Sequence, residues 1–413
     1  MIRRATTIDV RWVLGLSALQ LISWGSVFYG FSLFMAPVEQ TLGLSRADAS
    51  LAFSLALLME GLAAFHVGRW IDQGHEQRVM TGGSVLLAAG FVLQAFIQQP
   101  WQFHAVWALL GLGLSATLYP PAFAVLTRRF PEQFRRAIII LTFLGGLAST
   151  VFIPLIAWLM QASDWRTTSL VLGLLQLLVC APVHHHLLRD APPPRHTPGP
   201  RSAAAPATGD TPAPSRAVAL HTHLQDRTFW LMGVFVVLLM AVTAALPAHM
   251  INLLRESGLQ ETWVLALPAI IGVLQVVGRA VLFVAEHRVD VHRVNRWVPC
   301  LIPLAFALLW LGGTQGAVAV LFVLAYGIGN GMFTIVKGTV VAQYVSREHV
   351  GALNGAIGVP MALARALAPW IMGLLWSPAV GYRDGVVLMW VLACIGVVSL
   401  WTAQRRALRS RGR

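Results

Sequence analysis

ADASLAFSLALLMEGLAAFHVGRWIDQGHEQR, residues 47–78, sets an apolar run of about twenty residues against a tail that carries Arg69 and Arg78. A helix rises 1.5 Å per residue, so about twenty residues cover the ~30 Å hydrocarbon core of a bilayer. The same alternation of apolar run and charged gap recurs along the whole chain. Runs fall near 13–35, 47–66, 79–97, 103–126, 137–160, 167–187, 228–252, 262–284, 297–313, 317–341, 351–376 and 385–403. The basic residues are sorted between the gaps. The two tails and the even-numbered gaps hold 23 of the 30, among them Arg128, Arg129, Arg135, Arg136, Arg288, Arg293, Arg296, Arg405 and Arg406, whereas the odd-numbered gaps hold only Arg46, Arg166, Arg255 and Arg383. Positive loops stay on the cytoplasmic side, so both termini are expected inside, in a cell (inner) membrane.

Composition excludes most other classes. At 57% hydrophobic and 11% charged, against about 25% charged in an ordinary soluble domain, the chain has too little polar surface for a water-soluble globule. The net charge of +13 is dispersed over short loops instead of forming a stripe, so topology accounts for it and no nucleic-acid partner is implied. Met1 to Arg11 is polar and basic, and the apolar run after it is too long for a signal-peptide core, so that run is expected to remain as the first span. Cys180, Cys300 and Cys394 lie in three different spans without paired spacing, which points to neither a disulfide nor a metal site.

Asp190 to Arg227 holds eight prolines among Ala, Ser, Thr, Gly and Arg, a composition that cannot bury a core and reads as a flexible cytoplasmic linker. It separates residues 1–189 from 228–413, six spans from six. Landmarks repeat across that division. Gly43-Leu44 and Gly258-Leu259 are 215 apart, Gly111-Leu-Gly113 and Gly327-Ile-Gly329 are 216 apart, and Pro154 and Pro369 are 215 apart. A duplicated six-helix unit follows, and parallel repeats of this kind place a substrate site at their interface near mid-membrane.

The loop Gly68-Arg69-Trp70-Ile71-Asp72-Gln73-Gly74, ending in Arg78, resembles the signature of the major facilitator superfamily, one residue shorter between Asp72 and Gly74 and with Gln73 in place of a basic residue. The resemblance implies an all-α integral membrane fold, with twelve transmembrane helices in two six-helix bundles related by pseudo-twofold symmetry. It also implies a conformational latch at Gly68, Asp72, Gly74 and Arg78, in which Asp72 faces the positive end of a neighbouring helix and the glycines let backbones approach. Gln275-Val-Val-Gly-Arg279 in the eighth span resembles monocarboxylate transporters, which carry Asp four residues before an Arg that engages the substrate carboxylate. Glutamine cannot titrate, so proton exchange does not fall to position 275. The stretch from Arg135-Arg136-Ala137 into Gly145-Gly146-Leu-Ala-Ser149 resembles that group's fifth span. Oxalate and formate antiporters use an Arg in span eight and a cation in span eleven, which Arg279 and Arg365 match.

Three cations, Arg279, Lys337 and Arg365, lie inside apolar runs. Each costs about 2.5–3.5 kcal/mol at mid-membrane, roughly 7–10 together, unless something compensates. A single acid, Glu60, shares that environment. A cavity with this excess attracts a carboxylate or similar small anion, and arginine suits a bidentate grip on it. The alternative for each cation is a snorkelling side chain or a structural pair with Glu60 or helix carbonyls. Glu60 lies 17 residues past Gly43, as Gln275 lies 17 past Gly258. Desolvation favours a neutral carboxyl, which makes Glu60 the candidate for proton coupling, with a structural bond to a neighbouring helix as the alternative.

Spans one, four and ten line the central cavity in the superfamily, so the resemblance adds Tyr29, Trp24, Tyr119 and Asn330 as substrate-wall residues. His104 and His249 fall near the outer surface and His184 to His186 near the inner one; all read as interfacial. No nucleotide loop, nucleophile elbow or metal spacing points to an enzyme or a cofactor. The expected protein is a secondary active transporter, a monomer in the bilayer, moving a small monocarboxylate-like organic anion by alternating access. Proton symport is the expected coupling, because an anion entering a negative interior needs a compensating cation. Anion exchange is the alternative, and proton-driven efflux of amphipathic compounds a further one.

Overall fold

The computed structural model describes residues 9–190, 222–285, 288–312, 316–346 and 349–411. Residues 191–221, most of the expected linker, lie outside the described residues. Twelve helices are long and apolar enough to cross a bilayer: α1 (Val10–Leu42), α2 (Arg46–Asp72), α3 (Glu76–Ala95), α4 (Pro100–Arg129), α5 (Phe134–Ala162), α6 (Trp165–Leu187), α7 (Arg227–Glu256), α8 (Glu261–Val284), α9 (Val291–Leu311), α10 (Gly316–Tyr344), α11 (Ala352–Leu374) and α12 (Arg383–Arg409). With backbone polar groups satisfied inside each helix, the chain is a multi-pass membrane protein. Several helix starts carry side-chain caps: Ser45, Asp164 and Asp226 each accept a first-turn backbone amide.

Helices α1–α6 and α7–α12 build two bundles with the same internal pattern. In one, α2 packs on α4 and α1 on α5; in the other, α8 packs on α10 and α7 on α11. Two equivalent seams, α2–α11 and α8–α5, join the bundles. The repeated glycines explain themselves at this level. Gly43 and Gly258 close the first helix of each bundle with φ of 64° and 79°, a conformation costly for any residue with a Cβ. A Cβ on Gly111 would stand 2.2 Å from the Ala56 carbonyl oxygen of α2, and one on Gly327 2.6 Å from Leu274 Cβ of α8. Small residues let these helix pairs touch.

Among the described residues five spans are not continuous α-helices: α6 takes a π-helical turn at Gln176–Cys180 and α9 a 3-10 turn at Val298–Cys300, and the breaks in α1, α4 and α5 are the ones that bear on the site. In α1 a π-helical turn covers Trp24–Tyr29. In α4, Leu118 is extended (φ −80°, ψ −169°) ahead of Tyr119-Pro120-Pro121. Pro120 has no amide proton and crowds the residue before it, so the helix must restart there. The Thr117 carbonyl near the break accepts Gln20 Nε2 of α1. In α5 the helix pauses at Gly146-Leu147.

Candidate functional site

The π turn of α1, the second segment of α4 and the pause in α5 meet α8 around one guanidinium. Arg279 is 7% exposed. It donates from Nη1 to the Thr142 carbonyl of α5 at 2.6 Å and from Nη2 to Gln275 Oε1 at 3.3 Å, while its Nε is buried without a partner among the described residues. Gly146 makes the crossing possible, since a Cβ there would stand 3.2 Å from Nη1. Gln275 donates in turn to the Tyr29 hydroxyl at 3.4 Å. Tyr119 lies beside the same guanidinium, under Gly145. Trp24 packs on Tyr119 with ring centroids 5.0 Å apart, and its indole nitrogen is buried and unpartnered. Asn330 joins Tyr29, Gln275 and Tyr326 around a central cavity of which about 20 Å³ is open to the centre of a water molecule.

The other two expected substrate cations lie on α11 and α10. Arg365 Nη2 is 3.3 Å from Glu60 Oε2, with both side chains largely buried. In this structure, then, Arg365 is held by Glu60. Among the described residues Lys337 Nζ reaches only the thioether of Met240, at 3.5 Å, and stands close to Arg365. A primary ammonium on a sulfur acceptor is weakly satisfied, because thioether sulfur is a poor acceptor. The five residues Arg279, Tyr29, Trp24, Tyr119 and Asn330 therefore gather as one group, and Arg365, Lys337 and Glu60 as a second.

A third group was not foreseen. At the face with few basic residues, Arg46 of α2 pairs with Glu39 at 2.7 Å and with Glu256 of the other bundle at 2.9 Å. It also bonds the Tyr382 hydroxyl and lies 4.7 Å over Trp376, whose indole donates to Glu256 at 2.8 Å. His249, expected at an interface, is instead fully buried, bonded to Tyr382 at 3.1 Å and to the Pro369 carbonyl at 2.8 Å. Burial holds the Tyr382 hydroxyl above the ordinary tyrosine range, so it remains a neutral donor. Below it, Ser54 accepts the Trp370 amide at 3.0 Å across the α2–α11 seam. These contacts tie the two bundles to each other at this face. The only signal in the chain was Arg46 itself, one of four cations in gaps otherwise free of them.

The expected latch is arranged differently. Asp72 and Arg78 are exposed, Asp72 pairs with nothing among the described residues, and a Cβ on Gly68 would meet open space. Gly74 does take a special conformation, φ 90°. The loop is tied instead by Arg128 of α4, which bonds the Ile71 carbonyl and stands 3.5 Å from the fully buried Glu76. Asp72 sits at the C-terminal end of α2, where the helix dipole offers it no positive charge. His184, also expected at an interface, is buried against Ser84 at 2.8 Å.

A family model described as the Major Facilitator Superfamily matches residues 15–369. The chain is 24% identical over 409 residues to the gentisate transporter of Corynebacterium glutamicum, across 94% of this chain and 88% of that protein. It is 24% identical over 330 residues to monocarboxylate transporter 12-B of Danio rerio, across 70% and 66%, and 27% identical over 175 residues to the oxalate:formate antiporter of Oxalobacter formigenes, across 41% of each. Three of the curated relatives that it matches, this antiporter among them, are covered over less than half of their length. Among solved structures, a bacterial homologue of the human lysosomal transporter Spinster, inward-facing and unoccupied, aligns with a TM-score of 0.73 at 16% identity over 98% of both chains. At that identity the likeness is one of fold.

Proposed function

The chain belongs to the Major Facilitator Superfamily, and on that premise we propose that this secondary transporter carries a small organic anion whose carboxylate is gripped by Arg279. The observation that carries the reading is the state of that side chain. Its Nε–Nη2 edge holds one long bond and one empty donor. A carboxylate laid along that edge would form the paired, charge-assisted bonds for which guanidinium is shaped. Tyr29 and Asn330, at the small central cavity, complete the substrate wall. Gentisate, oxalate, formate and monocarboxylate, the cargoes named for the three relatives, share a carboxylate, which favours the same class.

Coupling falls to the second group. Glu60 Oε2 stands 3.3 Å from Arg365 Nη2. A proton taken up on Glu60 would remove its half of that pair and leave Arg365 and Lys337 as cations that attract an anion. Proton and anion then travel together, from a site open alternately to either face, with both termini and the basic loops in the cytoplasm and the protein acting as a monomer in the inner membrane. Anion exchange is the second reading. It draws on the antiporter relative and on Gln275, and in it a substrate carboxylate, not a proton, competes with Glu60 for Arg365.

Counterflow of radiolabelled mono- and dicarboxylates in proteoliposomes tests this. Arg279→Ala and Arg365→Ala, at matched protein content, are expected to lower transport by tenfold or more; unchanged transport in both removes the anion site. Glu60→Gln is expected to abolish the response of uptake to a pH gradient. Retention of that response with Glu60→Gln would favour exchange.

A further inference from the structure

Beside Arg279 lies a cluster of aromatic rings larger than a simple aliphatic carboxylate requires. Trp24 contacts Phe28 at 4.9 Å and Tyr119 at 5.0 Å between centroids, Tyr119 stacks on Phe123 at 5.4 Å with planes 9° apart, and Phe28 meets Tyr29 at 5.5 Å. Phe28 is buried, but Trp24, Tyr29, Tyr119 and Phe123 are each only partly covered. Tyr119 joins the two chemistries, being packed on Trp24 and placed beside the guanidinium. The buried indole N–H of Trp24 has no acceptor among the described residues, and neither has Nε of Arg279. A tryptophan N–H normally finds a partner when buried, so two empty donors flanking one partly open ring describe a place shaped for an acceptor-bearing guest.

Resting on the reading of Arg279 as the carboxylate grip, we infer that the preferred cargo is an aromatic carboxylate, its ring against Trp24 and Tyr119 and its carboxylate on Arg279. The carboxylate supplies acceptors to Arg279, and the flat ring meets π faces at the offset or tilted geometry that the wall already uses within itself. A saturated ring of the same size has the same apolar area to bury but no quadrupole, so the two guests separate the aromatic contribution from simple hydrophobic transfer.

Isothermal titration of the purified full chain at pH 7 with benzoate, cyclohexanecarboxylate and acetate tests the inference. Benzoate is expected to bind about tenfold more tightly than cyclohexanecarboxylate, the scale of two favourable ring contacts. Trp24→Leu, which keeps apolar bulk, is expected to bring the ratio towards one, and Trp24→Phe to restore most of it. Equal affinity for benzoate and cyclohexanecarboxylate in the unmodified protein overturns the aromatic assignment, while binding of both that is lost with Arg279→Ala leaves the carboxylate reading standing. If no carboxylate binds, both fall together.

Discussion

Glu60 and Arg365 each occupy a position where a lone charge is costly, and their 3.3 Å contact is what makes either tolerable between α2 and α11. Removing one partner of a buried pair costs about 3–5 kcal/mol, whereas removing both costs far less. Arg365→Gln alone is therefore expected to lower thermal stability in detergent clearly, and Glu60→Gln with Arg365→Gln to recover much of the loss. Additive losses in a double-mutant cycle would show that the two do not act as a pair. Arg279 differs because its partners are a backbone carbonyl and a neutral amide, neither of which cancels its charge. Arg279→Lys keeps that charge but loses the planar fork, so uptake is expected to fall by about tenfold or more while the protein stays folded. Uptake at the original level would mean that charge alone is read at this position.

At the scale of the helix, the close approaches decide which glycines are indispensable. A methyl group at Gly111 would meet backbone of α2 at 2.2 Å, and one at Gly331 would meet the Gln275 carbonyl of α8 at 2.3 Å, whereas one at Gly338 meets nothing within 4 Å. Gly111→Ala and Gly331→Ala are expected to reduce the folded protein recovered from membranes severely, and Gly338→Ala to leave it equal or improved, because Ala is the better helix former by about 1 kcal/mol. Equal recovery of all three would show that α2–α4 and α8–α10 can part without cost. The spans themselves were legible in the sequence because a window of twenty residues averages hydropathy over the very length a bilayer imposes, and the matching glycines were legible because duplication preserved their spacing. The breaks were lost in the same averaging. Pro120-Pro121 signalled one of them, but the π turn at Trp24–Tyr29 has no proline; within it Gly25 packs under Phe152, where a Cβ would stand 2.3 Å away. Among the site residues, Arg279, Tyr29, Trp24, Tyr119 and Asn330 could be singled out one by one. That Arg365 would meet Glu60 could not be read, since the two are 305 positions apart and only the seam brings them together.

Across the whole molecule the scaffold is symmetric and its decoration is not. The position 215 residues before Arg365 is Thr150, which bonds the Ala269 carbonyl across the α5–α8 seam at 2.6 Å, and the counterpart of Arg279 is Ala64. One seam thus carries an ion pair, Glu60 with Arg365, while the other carries Arg279 on neutral partners. On the proposed reading of alternating access, the bundles rock about α5–α8 while α2–α11 opens and closes. Arg46 is the bolt of that second seam at the cation-poor face, tied at once to Glu39 in its own bundle and to Glu256, Tyr382 and Trp376 in the other. Those contacts exist only when this face is shut, so their free energy is entirely differential between the two states and shifts their populations in full. Arg46→Ala is expected to favour the state open at that face. Placing a cysteine at Ser54, which is 5% exposed beneath the bolt, in a background without Cys180, Cys300 and Cys394 lets a membrane-impermeant maleimide report the opening. Labelling from the cation-poor face is expected to accelerate by about tenfold or more with Arg46→Ala, the effect of losing roughly 1.4 kcal/mol or more of differential contact. The same rate in both backgrounds would mean that the seal is held by the apolar packing of α2 on α11, and that the charged cluster above it only decorates a closure made elsewhere.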